Sequence, residues 1–319
     1  MLKVLVSNIG FGQASPEALN LLREKLSLSL NENSVRYDEN ALSERIHDAD
    51  ILIAGTEKIT RSVINQASCL KLIARVGVGV DSVDLEAAKE KKISISYTPE
   101  APSEAIPEFT LALMLNVIKN VSQIDRKMHQ GNWHRSMGRM LSSMVVGVVG
   151  VGRIGAQLIK TLKTLYPDLL IYFYDPFVDD VLGAQKVDLD KIFDVCDLVT
   201  LHLPLNEKTR NLVGQDLLQK MKKGSYLINT ARGGIVNEIA LYNALKGGHL
   251  AGAALDVFES EPYHGPLNTL ENCVLTSHVG SMTQEVRALM ENQVSEDIIR
   301  FVQKKPLLRA LPGYNFCEY

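Results

Sequence analysis

Residues 145–157, VVGVVGVGRIGAQ, decide the fold. An apolar, β-branched run ends in three glycines, Gly150, Gly152 and Gly155, in the spacing G-x-G-x-x-G. This spacing is typical of the turn that joins the first strand of a dinucleotide-binding sheet to a helix. In a simple fold of this kind the turn lies near the N-terminus, whereas here it begins at residue 150 of 319. The position predicts that another α/β segment precedes it.

Strand-like apolar runs alternate with amphipathic helix patterns on both sides of the glycines, which is typical of parallel α/β architecture. Before the glycines, strands are predicted near 2–7, 51–54, 70–76 and 93–97, and helices near 16–28, 60–67 and 84–90. From residue 145 onward, strands are predicted at 145–149, 169–174, 197–203, 225–230, 251–256 and 273–277, and helices at 153–165, 214–221 and 237–246.

Two long helical patterns, near 103–120 and 283–304, flank the second series. They predict that a doubly wound, Rossmann-type parallel sheet is inserted into a flavodoxin-like α/β domain, with a cleft between the two domains. The predicted divisions are 1–98 for the first part of the substrate domain, 99–286 for the nucleotide-binding domain, and 287–319 for the C-terminal helix and tail of the substrate domain. A length of 319 residues also favours two domains.

Composition narrows the class of protein. Hydrophobic residues make up 46% and charged residues 22%, and the net charge is −3 without a long run of one sign. This balance argues against a nucleic-acid or membrane-surface partner. The longest stretches without charge are 13 residues, shorter than the ~20 that cross a bilayer. The N-terminus lacks the pattern of a signal peptide. Four widely spaced cysteines (Cys69, Cys196, Cys273 and Cys317) predict free thiols in a reducing cytoplasm, and no metal site is predicted.

The glycine turn has the context that a cofactor site requires. An apolar strand precedes it, a helix follows it, and Asp175 lies 20 residues beyond Gly155 at the end of the next predicted strand. A carboxylate at that place accepts hydrogen bonds from the adenosine ribose and repels a 2′-phosphate, so NAD is predicted rather than NADP. The phosphates are expected at the helix N-terminus. A structural turn, or the loop of another nucleotide-like ligand such as S-adenosylmethionine, is the alternative.

An acid–base group is predicted among the polar residues that follow later strands. His278 comes directly after the strand CVLTS, Arg232 follows SYLINT, and Glu261 lies beyond AGAALD. Ligands of α/β folds bind at the carboxyl ends of strands. A guanidinium there binds a carboxylate, and a glutamate facing His278 holds its ring and stabilises the imidazolium. Glu259 is a rival for that glutamate. His202, within a strand, is interpreted as a packed residue, and the other histidines as surface residues.

These residues lie in stretches that resemble the D-isomer-specific 2-hydroxyacid dehydrogenase family. The matching stretches are RVGVGVDSVDLEAA (75–88), GVVGVGRIG (147–155), YDP (174–176), LHLPLNEKTRNLVG (201–214), INTARGGIVNE (228–238), AALDVFESEP (253–262) and SHVG (277–280). The resemblance extends over about residues 50–305. It implies the inserted two-domain architecture and a homodimer built mainly through the nucleotide-binding domains.

The resemblance also implies roles for individual residues. Arg232 binds the substrate carboxylate and keto oxygen, His278 is the acid/base, and Glu261 is its partner. Backbone amides of Val76, Gly77 and Val78 hold the substrate. The implied NAD-binding set is Val78, Gly150, Gly152, Arg153, Ile154, Gly155, Asp175, Pro176, His202, Pro204, Thr209, Thr230, Ala231, Arg232, Asp256, His278 and Gly280.

Within the family the chain is most similar to the catalytic cores of D-3-phosphoglycerate dehydrogenases. The stretch GNWHR (131–135) matches that group, in which the arginine after the tryptophan binds substrate phosphate, so Arg135 is predicted to do so from a partner subunit. Two departures leave a different, non-phosphorylated hydroxyacid open. That group's arginine after the strand at 51–54 is replaced by Ala54-Gly55-Thr56, with Lys58 nearby, and its substrate loop is Thr98-Pro99-Glu100-Ala101-Pro102 here.

The predicted function is therefore an NAD-dependent oxidoreductase that interconverts a small D-2-hydroxyacid and its 2-oxoacid. The alternatives are a formate- or phosphite-type dehydrogenase, a non-catalytic NAD(H)-sensing interaction protein on the same fold, and a glycine-loop methyltransferase. Glu261 argues against a formate dehydrogenase, because that group carries glutamine at this place.

Overall fold

The computed structural model describes residues 1–32 and 35–316. Its strands are β1 (Lys3–Val6), β2 (Ser27–Ser29), β3 (Ile51–Ala54), β4 (Leu72–Arg75), β5 (Ser94–Ser96), β6 (Val145–Val149), β7 (Leu170–Tyr174), β8 (Gln185–Lys186), β9 (Leu198–Leu201), β10 (Ser225–Asn229), β11 (Leu250–Leu255) and β12 (Cys273–Leu275). Its α-helices are α1 (Pro16–Arg23), α2 (Glu39–Arg45), α3 (Arg61–Gln66), α4 (Leu85–Glu90), α5 (Pro102–Lys119), α6 (Val121–His129), α7 (Arg153–Leu165), α8 (Leu189–Val195), α9 (Gln215–Lys220), α10 (Glu238–Lys246) and α11 (Gln284–Val302).

The chain forms two compact units. Unit 1 contains residues 1–102 and 281–319, and unit 2 contains residues 103–280. The sequence predicts domain boundaries at 98/99 and 286/287. In the structure, residues 99–102 and 281–286 belong instead to unit 1. The first of these segments follows β5, and the second leads into α11, whose Val286 is buried.

Unit 1 is built on a parallel sheet in the order β2-β1-β3-β4-β5. Its helices begin at capping residues with oxygen side chains. Ser15, Asp38, Thr60 and Asp84 each accept a hydrogen bond from an amide in the first turn, which pairs a donor that the helix itself leaves unpaired. The apolar residues of β3 and β4 are fully buried, as expected for strands covered on both faces.

The helix predicted at 16–28 was wrong in its second half. Helix α1 ends at Arg23, and residues 27–29 form β2, which pairs in parallel with Lys3–Leu5. Pairing with a distant strand overrides the local helical pattern here. Helices α2, α6 and α8 and the short strand β8 were not predicted.

Unit 2 contains a second parallel sheet in the order β12-β11-β10-β9-β6-β7-β8. Successive residues of one strand enter different apolar clusters: Val148 packs with Leu158 and Leu162 of α7, whereas Val149 packs with Ile192 of α8. Because side chains alternate across a strand, this sheet carries helices on both faces. The predicted doubly wound architecture of this segment is confirmed.

The strand order brings separate parts of the sequence together at the carboxyl ends of the strands in this sheet. Val149 pairs with both Tyr174 and Leu201, so the residues after β6, β7 and β9 are neighbours. In the same way Leu255 pairs with Asn229 and Leu275, which aligns the residues that follow β10, β11 and β12. The chain reverses its winding between β6 and β9, the kind of point where α/β sheets bind ligands. In the described part of the chain, no helix has the length and apolar character to cross a bilayer.

Candidate active site

The three glycines of unit 2 occupy places with different steric demands. A Cβ atom on Gly150, whose φ is +90°, would lie 2.5 Å from the carbonyl oxygen of His202. A Cβ atom on Gly155 would lie 2.1 Å from the carbonyl oxygen of Gly150. Gly152 is different, because nothing lies within 4 Å of its Cβ position. The first and third glycines are therefore required for packing, and the second borders open space.

The N-terminus of α7 borders this open space. Gly152 is the N-cap of α7, and no side chain caps this end of the helix. The backbone amides of Arg153, Ile154 and Gly155, in the first turn of the helix, are consequently left for an external acceptor. The helix dipole favours an anion there. The predicted phosphate loop thus has both the space and the donors that a dinucleotide requires.

Asp175 lies beside this loop. Its buried carboxylate accepts hydrogen bonds from the Val151 amide at 2.9 Å and the Phe177 amide at 2.8 Å. Each carboxylate oxygen has a second lone pair that these bonds do not use. The structure therefore brings Asp175 and Pro176 to the glycine loop, as predicted, and shows that Asp175 also fixes the loop conformation.

His202 follows β9, and its Nε2 lies 3.0 Å from Oγ1 of Thr200. Burial lowers the pKa of His202 to about 3, so its imidazole is neutral at physiological pH. Beyond it, Thr209 Oγ1 donates to the Pro204 carbonyl at 2.6 Å and closes the turn after β9. His202 is thus a packed residue beside the glycine loop. The predicted residues Pro204 and Thr209 belong to one turn.

The loop that carries Arg232 is fixed by the side chain of Asn229. Asn229 Nδ2 donates to the Arg232 carbonyl at 3.0 Å, and its Oδ1 accepts from the Ala231 amide at 3.1 Å. Thr230 Oγ1 lies 2.9 Å from Oγ1 of Thr110 in α5. Asn229 and Thr110 were not predicted, although Asn229 lies within the quoted stretch INTARGG.

At Gly233 the backbone of the loop that carries Arg232 lies against the backbone of the loop that contains Glu261. A Cβ atom on Gly233 would lie 1.9 Å from the carbonyl oxygen of Phe258. Any larger residue would push these two backbones apart. The glycine after Arg232 therefore keeps the guanidinium-bearing loop next to the glutamate-bearing loop.

His278 and Glu261 form a close pair. Nδ1 of His278 lies 3.0 Å from Oε2 and 3.1 Å from Oε1 of Glu261. Glu261 Oε1 also accepts from the Phe258 amide at 3.1 Å. Glu259, the rival glutamate, faces elsewhere: its side chain is exposed and its Oε1 lies 3.7 Å from Nη1 of Arg210. The structure selects Glu261 as the partner of His278.

Asp256 holds the segment that carries His278. Its Oδ1 accepts from Thr276 Oγ1 at 2.6 Å and from the Val279 amide at 2.9 Å, and its Oδ2 accepts from the Gly280 amide at 2.9 Å. The His278 amide donates to the Asp256 carbonyl at 2.8 Å. His278 has a φ of +56°, which is uncommon for a residue with a side chain. Asp256, predicted as a cofactor contact, is thus the residue that fixes this conformation.

The predicted substrate-binding amides lie in unit 1, and two of them are already used. The Val76 amide donates to the Ala54 carbonyl at 2.9 Å, and the Gly77 amide donates to Thr98 Oγ1 at 2.8 Å. Neither of these amides is therefore open to a substrate, which corrects the prediction for Val76 and Gly77. The Val78 and Gly79 amides have no acceptor within residues 1–32 and 35–316. Arg135, in unit 2, is exposed between α6 and β6.

At the carboxyl ends of its strands, unit 2 combines an uncapped helix N-terminus, a buried aspartate and a carboxylate–imidazole pair. This combination is the one expected of a nucleotide-dependent acid–base site. Residues 111–280, more than half of the chain, match the family model described as D-isomer specific 2-hydroxyacid dehydrogenase, NAD binding domain. The chain therefore belongs to the D-isomer specific 2-hydroxyacid dehydrogenase family.

Individual relatives agree with this assignment. The chain is 40% identical over 308 residues to a D-3-phosphoglycerate dehydrogenase of Methanocaldococcus jannaschii, covering 93% of this chain and 57% of that protein. It is 35% identical over 296 residues to a glyoxylate reductase of Korarchaeum cryptofilum, covering 89% of each. The crystal structure of the TT0316 protein of Thermus thermophilus has a TM-score of 0.88, 33% identity, and coverage of 97% of this chain and 100% of that one. The chain thus spans less than two thirds of the phosphoglycerate dehydrogenase but most of the reductase.

Proposed function

We propose that the protein is an NAD-dependent oxidoreductase that interconverts a small D-2-hydroxyacid and its 2-oxoacid. The observation that carries the proposal is the His278–Glu261 pair. Like the glycine loop, this pair follows the carboxyl ends of strands in the unit 2 sheet. Family membership supports the reaction class, and the match of residues 111–280 to an NAD-binding domain supports the cofactor.

NAD would be held by Gly150, Gly152, the amides that begin α7, and Asp175. When bound, it supplies or accepts the hydride at C2 of the substrate. The Asp175 carboxylate favours a free ribose hydroxyl over a 2′-phosphate, because the phosphate brings a second negative charge to a buried site. Binding of NADH more than tenfold tighter than NADPH, measured by fluorescence titration, is the expected result, and equal affinities would contradict it.

His278 moves the proton. Since the ionised Glu261 accepts from Nδ1, that nitrogen carries its hydrogen in both protonation states, and Nε2 is the nitrogen that exchanges a proton with the substrate oxygen. In the reducing direction Nε2–H protonates the keto oxygen as the C2 alcohol forms, and the imidazolium becomes neutral imidazole. Glu261 stays ionised and stabilises the cationic ring. His278 Nε2 has no acceptor or donor among the described residues.

Each unit, taken by itself, offers a group that can bind a carboxylate. The Arg232 guanidinium matches a carboxylate in charge and geometry. In unit 1, the amides of Val78 and Gly79 supply donors in the same loop as the two amides that were predicted but are already paired.

The residues after β3 favour an unphosphorylated substrate, because Ala54, Gly55 and Thr56 stand where the resemblance expects a phosphate-binding arginine. Glu57 follows them and is buried. Its carboxylate accepts from the Gly55 amide at 3.0 Å and from the Ser7 hydroxyl, so it lies on the β1 side of β3.

Oxidation of NADH with a panel of 2-oxoacids tests the function. The panel contains glyoxylate, hydroxypyruvate, pyruvate and 3-phosphohydroxypyruvate, and we expect turnover of one or more of the first three. Turnover of the phosphorylated compound, lost in Arg135→Ala but not in the neighbouring control His134→Ala, would instead identify Arg135 as a phosphate ligand. NADH binding without turnover of any oxoacid would contradict the proposed reaction.

We also propose that the protein is a homodimer that forms through residues 121–140. Helix α6 contains no buried residue, and the segment after it exposes Trp133 at 82% and Met137 at 96% of their surfaces. Large apolar side chains exposed together favour an interface. Sedimentation is expected to show a dimer that becomes monomeric in the double variant Trp133→Glu, Met137→Glu. Leu182→Glu, at another exposed apolar residue, is the control; a monomeric wild type would contradict the proposal.

A cytoplasmic location is proposed from the cysteines. Cys69, Cys196 and Cys273 are free, and Cys317 lies outside the described residues. Burial raises the pKa of Cys196 and Cys273 to about 12, so both thiols are protonated and unreactive. Cell fractionation with antibody detection tests this location.

A further inference from the structure

The loop that follows β4 in unit 1 is held from two sides. Arg75 is buried, and its Nε and Nη2 donate to the Gly79 carbonyl at 3.1 and 2.8 Å. At the other side, Thr98 makes two hydrogen bonds to one residue: its amide donates to the Gly77 carbonyl at 3.0 Å, and its Oγ1 accepts from the Gly77 amide at 2.8 Å. Gly77 and Gly79 are thus both anchored, with Val78 between them.

Gly77 needs this support because of its backbone conformation. Its φ is +148°, a region that residues with side chains rarely adopt, and nothing lies within 4 Å of its Cβ position. Such a conformation persists only where its surroundings hold it. The hydrogen bonds of Thr98 engage both the amide and the carbonyl of Gly77, so they hold its two peptide groups in this conformation.

Thr98 is well suited to this role. It is 1% exposed and directly precedes Pro99, which restricts its backbone to extended conformations. The hydroxyl is therefore presented from a fixed position. Because it uses up the Gly77 amide, it also determines which amides of the loop remain open, namely those of Val78 and Gly79.

We propose that Thr98 is a positioning residue for the substrate carboxylate: it locks Gly77 so that the Val78 and Gly79 amides are held ready to donate. This inference rests on the proposed function. It assigns to the residue before the Pro99–Glu104 loop a role in substrate affinity, acting through the backbone of another segment and without contact with the substrate.

The test compares Thr98→Val, which keeps the shape but removes the acceptor, with Thr98→Ser, which keeps the acceptor. For the 2-oxoacid that the wild type reduces best, Thr98→Val is expected to raise KM about tenfold or more, the factor that corresponds to loss of a hydrogen bond to a charged group. The kcat and the Kd for NADH should stay within about twofold. Thr98→Ser is expected to restore most of the wild-type KM. The inhibition constant of oxamate, a non-reducible carboxylate, should rise in parallel with KM.

The outcomes separate the inference from the function. A wild type that reduces no 2-oxoacid overturns both. An active wild type with an unchanged KM in Thr98→Val overturns the inference alone, as does an equal rise in KM for Thr98→Val and Thr98→Ser. If Thr98→Val does not fold, Thr98→Ala is measured in the same way. Hydrogen exchange at the Gly77 amide is expected to be faster in Thr98→Ala than in Thr98→Ser, and equal exchange rates would overturn the inference.

Discussion

Nδ1 of His278 lies 3.0 Å from Oε2 of Glu261, and both residues are fixed by backbone groups near them. The glutamate accepts from the Phe258 amide, and the histidine amide donates to the Asp256 carbonyl. Orientation of the imidazole is therefore built into the protein before any ligand binds, which lowers the cost of reaching a reactive geometry.

Replacing either member of this pair is expected to reduce turnover by different amounts. His278→Gln removes the proton donor and should lower kcat by ~10²–10⁴-fold, the usual contribution of general acid–base catalysis. Glu261→Gln retains an acceptor for Nδ1 but not its charge, so a smaller loss is expected. Steady-state kinetics and NADH titration measure both. A His278→Gln enzyme with wild-type kcat, or one that no longer binds NADH, would remove His278 from the proposed role.

The glycines of the phosphate loop allow packing to be separated from binding. Gly155→Ala places a methyl group against the Gly150 carbonyl and is expected to cost ~1–3 kcal/mol in the free energy of unfolding, as overpacking does. Gly152→Ala meets no protein atom within 4 Å, so its Tm should match the wild type. Its methyl group occupies the space assigned to the diphosphate, and the Kd for NADH should rise about tenfold or more, as a loss of ~1.4 kcal/mol requires. Unchanged NADH affinity in Gly152→Ala would place the cofactor elsewhere.

Asp256→Asn should impair catalysis by disturbing the segment around His278. The new amide group replaces one of two acceptor oxygens and turns N–H groups toward the donors at Val279 or Gly280. Because hydrogen bonds to charged groups contribute ~1.5–3 kcal/mol, we expect a lower Tm and a kcat reduced at least tenfold. Thr276→Val, which removes a single donor to the same carboxylate, is the matched control and should have the smaller effect. Equal kcat in Asp256→Asn and wild type would show that the segment keeps its conformation without the carboxylate.

Stability should decrease in mild acid because of His202. Its folded-state pKa of about 3 lies below the ~6.5 of an unfolded histidine. Between these values the unfolded chain binds a proton and the folded chain does not, so the free energy of unfolding falls as the pH drops from about 6.5 toward 3, by up to ~1.4 kcal/mol per pH unit from this group.

Urea unfolding at several pH values, followed by circular dichroism, measures this dependence. The variant His202→Gln removes the titrating group and should show a shallower dependence between pH 7 and 5. Identical slopes in the two proteins would contradict the assignment of a buried, neutral imidazole. Fluorescence is less suitable, because the single tryptophan, Trp133, is largely exposed.

Features with local causes were predicted well from the sequence. The strand, glycines and helix at 145–165, and the spacing to Asp175, depend on neighbours along the chain and were confirmed by β6, α7 and β7. The pairing of His278 with Glu261 rather than Glu259 was suggested by the resemblance, and the distances agree.

Features that depend on long-range contacts were missed. Thr98 accepts from a residue 21 positions away, and Asp256 accepts from amides more than 20 positions away. Nothing in the local pattern around either residue shows which amide it meets. The resemblance implied that the Val76 and Gly77 amides bind substrate, although Ala54 of β3 and Thr98 already use them.

Unit 1 is assembled from both ends of the chain. Its last helix, α11, buries Glu291 against the Ser15 amide, and the segment beyond it hydrogen-bonds to β5 through the Ile95 and Leu311 amides. During synthesis the first 102 residues therefore leave the ribosome before the pieces that cover them exist. At ~5–20 residues per second, the intervening unit takes about ten to forty seconds to make. Unit 2 is continuous in sequence, so every residue of its core is made before α11, whereas β5 gains its backbone partners beyond α11 only when residues 311–314 have been made.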